Sequence, residues 1–472
     1  MANTSLGSIF NNRKPHNNSK STLPSDHQLK PVDKSCLGYE QSLVFDAMEQ
    51  TNTSMFITGK AGTGKSFLLR FFVENSHKKI VVLAPTGIAA INAGGQTIHS
   101  FFRIPPKAPL QRSDLQPDSR KRELYRCLDA IVIDEISMVR ADIMNAIDYI
   151  LRVANDTNQP FGGKQILMFG DLYQLPPVAQ PQVKRYLDDT FGGIFFFNAP
   201  GFKNYQIKIC ELTHIFRQND PTFIRILNEI RTGNINQNDL SLLNQRAYIP
   251  MPTDNDKEGG IAVVIAPKKN TVERYNESML ASIDDPSFIY EADISGDFKE
   301  TEFPALKRLE LKVGAKVMML VNDIGTTSDL PSENRRWANG TLGMISRLNH
   351  DSIWVMINGV SHQIDRHTWK KYQYSYDENR KQLSSRVTAE FTQFPVALAW
   401  AITVHKAQGA TYQSVGIDMD QGMFAAGQAY VALSRCVDMN RLYLNQPMDR
   451  EDIIISSEVQ NFMSQTKNPS QD

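Results

Sequence analysis

With 472 residues, 41% of them hydrophobic and 22% charged, the chain has room for two to four domains with full cores, and it has the composition of a globular protein. Lysine plus arginine equals aspartate plus glutamate at 51 each, so no global field advertises a nucleic-acid partner, although a local basic groove needs no net charge. The four cysteines, Cys36, Cys127, Cys210 and Cys436, have no metal-ligand spacing, and no apolar run nears the roughly 18 residues of a membrane helix, so disulfides, structural zinc and a membrane span are not expected.

Residues 1–35 are rich in Asn, Ser, Lys and Pro without apolar period, which predicts a disordered tail rather than a secretory or organelle-targeting segment. Tyr39 to Met48 carries apolar residues at helical spacing. Gln41 lies at the start of that helix; an amide offers the paired donor and acceptor that an adenine edge needs, but taken alone Gln41 reads as a surface residue.

The apolar run Ser54 to Thr58 then leads into GKAGTGKS, Gly59 to Ser66, and a helix-forming stretch from Phe67. Strand, glycine-rich turn and helix in that order make a phosphate loop: Gly59, Gly62, Thr63 and Gly64 turn backbone N–H groups toward anions, Lys65 supplies a point charge, and the Ser66 hydroxyl suits Mg²⁺.

Lys79 to Ala84 reads as a buried parallel strand, followed by a turn at Pro85-Thr86-Gly87 and a small-residue helix. Thr86, Thr97, His99 and Ser100 are polar groups available to a phosphate backbone, although singly each reads as structural. From Phe101 through Arg122 the rhythm breaks into aromatics, prolines and basic residues, either a solvated loop or a small insertion that touches a polyanion.

Leu128 to Ile133 predicts a further buried strand that ends in Asp134-Glu135, the acidic partner of the phosphate loop, with Asp134 ordering a metal and Glu135 taking a proton from water. Gln165 to Phe169 repeats the pattern before Gly170-Asp171, and Gln174 stands where an amide meets a γ-phosphate.

Ile207 to Leu212 is expected to begin a second α/β unit, continued by Ile261 to Ala266 and Ala315 to Leu320. Short alternating strands in 322–393 predict an inserted small β-barrel. Pro395 is expected to open a helix running to Gln408 and ended by Gly409, with a strand at Val415 to Asp418, a helix from Ala425 to Arg435 and a closing strand at Leu442 to Leu444. The fold class is therefore α/β, with two parallel-sheet units.

Together GKAGTGKS, APTGIAA, TIHSFF, DEISM, GDLYQLPPV, LTHIFRQ, AWAITVHKAQGAT and YVALSR resemble, in order and spacing, the motif series of the Pif-one (petite integration frequency) family of superfamily-one DNA helicases, from about Leu37 to Leu444. The resemblance implies two RecA-like domains using ATP and Mg²⁺, translocating 5′ to 3′ on single-stranded DNA and opening forked duplex or four-stranded guanine DNA, in replication, repair or recombination.

It implies a first domain at 36–205 with a wedge at 101–124, a second at 206–321 and 394–460, an SH3-like insertion at 322–393 and a tail at 461–472. By the same resemblance Gln41 reads adenine, Lys65 and Ser66 hold phosphate and Mg²⁺, and Asp134, Glu135 and Gln174 serve metal, water and γ-phosphate. Arg217 and Arg435 are implied to be arginine fingers of the second domain, and Thr86, His99, Thr403 and His405 to line the DNA. A chain monomeric without DNA in a bacterial or phage cytoplasm is expected. A RecD-like subunit that needs partners and an ATP-gated remodeller that grips DNA without unwinding are the competing readings; Glu135 and the two arginines speak against the second.

Overall fold

A computed structural model describes residues 33–105, 108–115, 121–202, 205–218, 220–250, 262–300, 303–321, 323, 336–337, 339–377 and 382–467. Residues 1–32 of the expected N-terminal tail therefore lie outside the described residues, and Lys34 is tied to Asp46 by an ion pair at 2.7 Å.

The first sheet contains β1 (Met55–Gly59), β2 (Ile80–Ala84), β3 (Gln96–Thr97), β4 (Ala130–Ile133), β5 (Gln165–Phe169) and β6 (Lys208–Leu212), all parallel, in the order β3-β2-β4-β5-β1-β6. Alternate residues of each central strand enter cores on opposite faces: Phe56, Val81, Ile131 and Ile166 on one side, Met55, Ile57, Val82 and Leu167 on the other. Double burial is why these strands read as unbroken apolar runs.

β6 corrects the expected start of the second unit. It pairs with β1 from Met55↔Lys208 to Gly59↔Leu212, so the first sheet runs past residue 205. The stretch after Phe101 is corrected from a solvated loop, because Phe101, Phe102, Ile104, Leu110 and Leu115 are buried in the first core.

The second parallel sheet has four strands, β7 (Ala262–Ala266), β18 (Ala401–Thr403), β19 (Ser414–Ile417) and β20 (Leu442–Leu444), in the order β18-β7-β19-β20. Between β7 and β18 the chain makes antiparallel structure. β8 (Phe288–Glu291) pairs with β10 (Arg308–Leu311); β9 (Asp293–Gly296) joins the long hairpin β15 (His367–Asp377) and β16 (Gln382–Gln393); and β11 (Lys316–Met319), β12 (Leu342–Leu348), β13 (Ile353–Ile357), β14 (Val360–Ile364) and β17 (Val396–Leu398) form a five-stranded sheet.

Ala315 to Leu320 is thus not a strand of the parallel sheet. It pairs antiparallel with β12 and β17, and the insertion is wider than 322–393. Parts of that range, 324–335 and 378–381 among them, lie outside the described residues.

The helix expected from Pro395 to Gln408 is also overturned. Val396–Leu398 bonds to β11 and Ala401–Thr403 to β7, so sheet partners outweigh the helix preference of the alanines, and only the turn Val404–Ala407 is helical. Gly409, at φ 81, ends that turn as read. The next helix is shorter than expected, Gln428–Leu433. Within the expected C-terminal tail at 461–472, residues 461–467 instead belong to the helix Ser457–Lys467, which buries Val459 and Met463 in the first core and stacks Phe462 on Phe197 at 4.2 Å, and 468–472 lie outside the described residues. Among the described residues no helix is long and apolar enough to cross a membrane.

Candidate active site

β1 delivers the phosphate loop at its carboxyl end, and the helix Lys65–Asn75 starts directly after it. Gly62 and Gly64 hold φ of 82° and 80°, and a Cβ on Gly64 would sit 2.4 Å from the Gln41 amide nitrogen, so glycine is required there. Gln41 is corrected from surface to core: it is 4% exposed, its Oε1 accepts the Gly38 N–H at 3.0 Å, and its Nε2 donates to the carbonyls of Thr63 and Gly64 at 3.5 and 3.4 Å. Its amide braces the loop. The exposed ring of Phe216 lies beside Gly38 and Gly64, with His214 edge-on to it at 4.4 Å.

Thr63 is buried, with its hydroxyl donating to Lys60 O at 3.0 Å, and Ser66 is exposed. The Lys65 ammonium donates to the carbonyls of Gly59 and Lys60 at 2.6 and 3.0 Å. Burial pulls its pKa down to about 8, against the opposing pull of Asp171 and Glu135.

Asp134 and Glu135 follow β4. Burial raises both pKa values, and Asp134 raises that of Glu135 further. Glu135 adopts φ 49, a conformation that costs a non-glycine residue energy and is found where the surroundings impose it. Its Oε2 accepts from Gln408 Nε2 at 2.8 Å, and the same nitrogen reaches Gln174 Oε1 at 3.3 Å. A side chain just past β18 thus bridges two groups of the first sheet.

Arg217 is corrected in position: it sits on the connector after β6, outside the second sheet, while its guanidinium donates to the carbonyls of Ser434 and Gly409 at 3.2 and 3.5 Å. Burial and the nearby Arg435 lower its pKa to about 9. Arg435 is 1% exposed and donates to the carbonyls of Val431 at 2.9 Å and Ala410 at 3.1 Å and to Ser434 Oγ at 2.8 Å.

Thr86 and His99 lie past β2 and β3 of the first sheet, whereas Thr403 is the last residue of β18 in the second and His405 lies just past it. Thr86 Oγ1 accepts the Ala89 N–H and Thr403 Oγ1 the Lys406 N–H, each at 3.2 Å, so both threonines cap a turn as they present themselves at a strand end. Burial and Arg140 lower the pKa of His99 and keep it neutral. His405 is exposed.

Sequence reasoning missed Arg231. It forms two hydrogen bonds to Asp171, at 2.9 and 3.2 Å, with both side chains buried, and lies 4.3 Å from the Tyr173 ring centre. The signal was present: in the helix Pro221–Thr232 the core positions are Phe223, Ile226, Leu227 and Ile230, and Arg231 occupies the same stripe. Burial alone would depress Arg231, but Asp171 reverses this and raises it.

The sequence signature of the PIF1-like helicase family matches residues 36–241. The chain is 31% identical to the ATP-dependent DNA helicase Pif1 of Bdellovibrio bacteriovorus over 93% of this chain and 94% of that one. It is 32% identical to the human ATP-dependent DNA helicase PIF1 over 89% of this chain, spanning only 62% of the human protein. Unliganded Pif1 from a Bacteroides species superposes with a TM-score of 0.80 at 37% identity, covering 92% of this chain and 98% of that one. The Bacteroides protein bound to single-stranded DNA gives 0.65 at 37% identity over 90% and 96%.

Proposed function

This chain belongs to the PIF1-like helicase family, and we propose that it hydrolyses ATP to translocate 5′ to 3′ along single-stranded DNA and unwind forked duplex. The observation that carries this reading is the bridge from Gln408 to Glu135 at 2.8 Å: a residue from the second sheet touches the proposed water-activating carboxylate of the first. ATP chemistry and the relative placement of the two sheets are then one event.

Gln41, Gly59, Gly62, Thr63, Gly64 and Lys65 form the ATP cradle in this reading, with the exposed Phe216 ring offering a stacking face for the base. The Ser66 hydroxyl and the Asp134 carboxylate are hard oxygen donors of the type Mg²⁺ takes, and they would hold it. Mg²⁺ there would draw charge from the phosphates. Glu135 takes the proton of the attacking water, Gln174 bonds the γ-phosphate, and Arg217 and Arg435 neutralise charge that develops on the transferred group. Arg217 and Arg435 now donate to backbone carbonyls, so turning to phosphate exchanges neutral acceptors for an anion.

DNA would run over the carboxyl ends of both sheets past Thr86, His99, Thr403 and His405, with residues 101–124 as a wedge and the antiparallel insertion as an SH3-like clamp. The Bacteroides relative bound to single-stranded DNA supports such a strand as the ligand. The test is ATP-dependent unwinding of partial duplexes with a 5′ or a 3′ single-stranded tail, with Lys65→Ala as control. Opening of the 5′-tailed duplex alone, lost in the variant, is expected. DNA-stimulated ATP turnover with neither duplex opened would replace helicase action with remodelling or a partner-dependent subunit.

A further inference from the structure

A phosphate loop works through its backbone N–H groups, and one of them is already engaged across the cleft. The Ala61 N–H donates to the hydroxyl of Tyr430 at 2.8 Å, a bond between residues 369 positions apart in the chain. Ala61 packs within the second hydrophobic core, beside Leu175, although both belong to loops of the first sheet. Tyr430 is 2% exposed, and burial raises its pKa, so the phenol is neutral and its oxygen is free to accept.

The helix that carries Tyr430, Gln428–Leu433, is pinned at both ends. At its start Gly427 lies so close to the loop after β5 that an added Cβ would stand 2.3 Å from Gln174 O and 2.7 Å from Tyr173 O. At its end Arg435 donates to the carbonyl of Val431 inside the helix and to those of Ala407 and Ala410, at 3.4 and 3.1 Å, which flank Gln408. The turn ending at Ala407 is the one that Thr403 caps and that exposes His405. A continuous chain of contacts therefore leads from a phosphate-loop amide to the strand-end segment 403–411.

We propose that Tyr430 is a positioning residue of the nucleotide site, holding the Ala61 amide so that displacement of the phosphate loop is delivered along the helix Gln428–Leu433 to Arg435, whose release from the Ala407 and Ala410 carbonyls frees segment 403–411. The inference rests on the nucleotide-site reading above. It adds that a hydroxyl, and not only the arginines, couples the loop to the second sheet. Phenylalanine at 430 keeps the ring and removes one oxygen, so the packing survives while the tie is lost.

The experiment is amide hydrogen exchange on the full chain, wild type and Tyr430→Phe, with and without Mg²⁺ and a non-hydrolysable ATP analogue. In the wild type the analogue is expected to change exchange rates at least about tenfold in both 59–66 and 403–411. In Tyr430→Phe the change at 59–66 persists, and the change at 403–411 falls below about twofold. A wild-type response at 403–411 in the variant would overturn the inference. So would loss of protection throughout β7 and β19 without ligand, because Tyr430 would then be a residue of the fold rather than of the coupling. No response at 59–66 in the wild type would instead remove the nucleotide-site reading itself.

Discussion

The two parallel sheets are built from the same strand pattern and carry different chemistry. The first is contiguous in sequence and wide, six strands with a buried core on each face, and its carboxyl edge bears the phosphate loop, Asp134-Glu135 and Gln174. The second is four strands, split by the antiparallel insertion between β7 and β18, and its core reaches across to enclose Ala61 and Leu175. The first presents a glycine-rich loop at a strand end; the second contributes Gln408 and Tyr430, which bond to Glu135 and Ala61 of the first, and Arg435, which lies near enough to Glu135 to feel its charge. A site divided in this way makes nucleotide chemistry sensitive to domain placement without any dedicated linkage.

The comparison is sharpest where one sheet's group can be removed without disturbing the other. Glu135→Gln keeps an acceptor for Gln408 but removes the proposed base, and ATP turnover is expected to fall ~10³-fold, measured as phosphate release with saturating DNA, while the melting temperature stays within a few degrees. A larger shift in melting temperature would mean that Glu135 is structural.

Arg231→Ala breaks the buried pair that joins a second-core helix to the first-sheet loop, and leaves the Asp171 carboxylate without its cation. Loss of ~3 kcal/mol in urea unfolding is expected. The paired carboxylate has a pKa below its ordinary 3.8: burial pushes it up, and Arg231 and Lys65 more than reverse this. The contribution is therefore complete above pH 3.8 and lost only as pH falls through the depressed value, so the deficit measured at pH 6 and at pH 8 should be equal. A deficit confined to one pH would contradict the pairing.

Met463→Ala removes a side chain that the C-terminal helix buries in the first core, at a cost of ~2 kcal/mol, read as the unfolding midpoint. Thr403→Ala removes only a cap on a single turn and should cost ~1 kcal/mol locally. Its visible effect is weaker single-stranded DNA binding by fluorescence anisotropy, equal across sequences, whereas Met463→Ala leaves DNA affinity unchanged.

Legibility followed the same division between the sheets. In the first, strands buried on both faces run straight into polar motifs, and β1, β2, β4 and β5 could be read from apolar runs that end at the segments bearing Lys65, Asp134, Glu135 and Gln174. What such a run cannot convey is its partner: Lys208–Leu212 and Lys316–Met319 look alike, yet the former pairs parallel with β1 and the latter antiparallel with β12.

Around the second sheet, Ala397 and Ala401 favour helix locally, and only long-range bonds, of Val396–Leu398 to β11 and of Ala401–Thr403 to β7, make their segments strands. The burial of Gln41 and the reach of Tyr430 depend on chain segments that meet only after folding. Arg231 was the exception, a charge standing on an apolar stripe and legible as a residue that needs a buried partner.

The most direct test of a site shared between the sheets is the ATP turnover of Arg217→Lys with DNA present, with kcat separated from KM. Lysine keeps the charge but loses the planar fork that meets a phosphate with two parallel bonds. A fall in kcat of ~10²-fold or more with KM changed less than threefold is expected, because the proposed role of the arginine is to act on charge that develops during reaction. An unchanged kcat would contradict the shared site and leave the nucleotide chemistry to the first sheet alone.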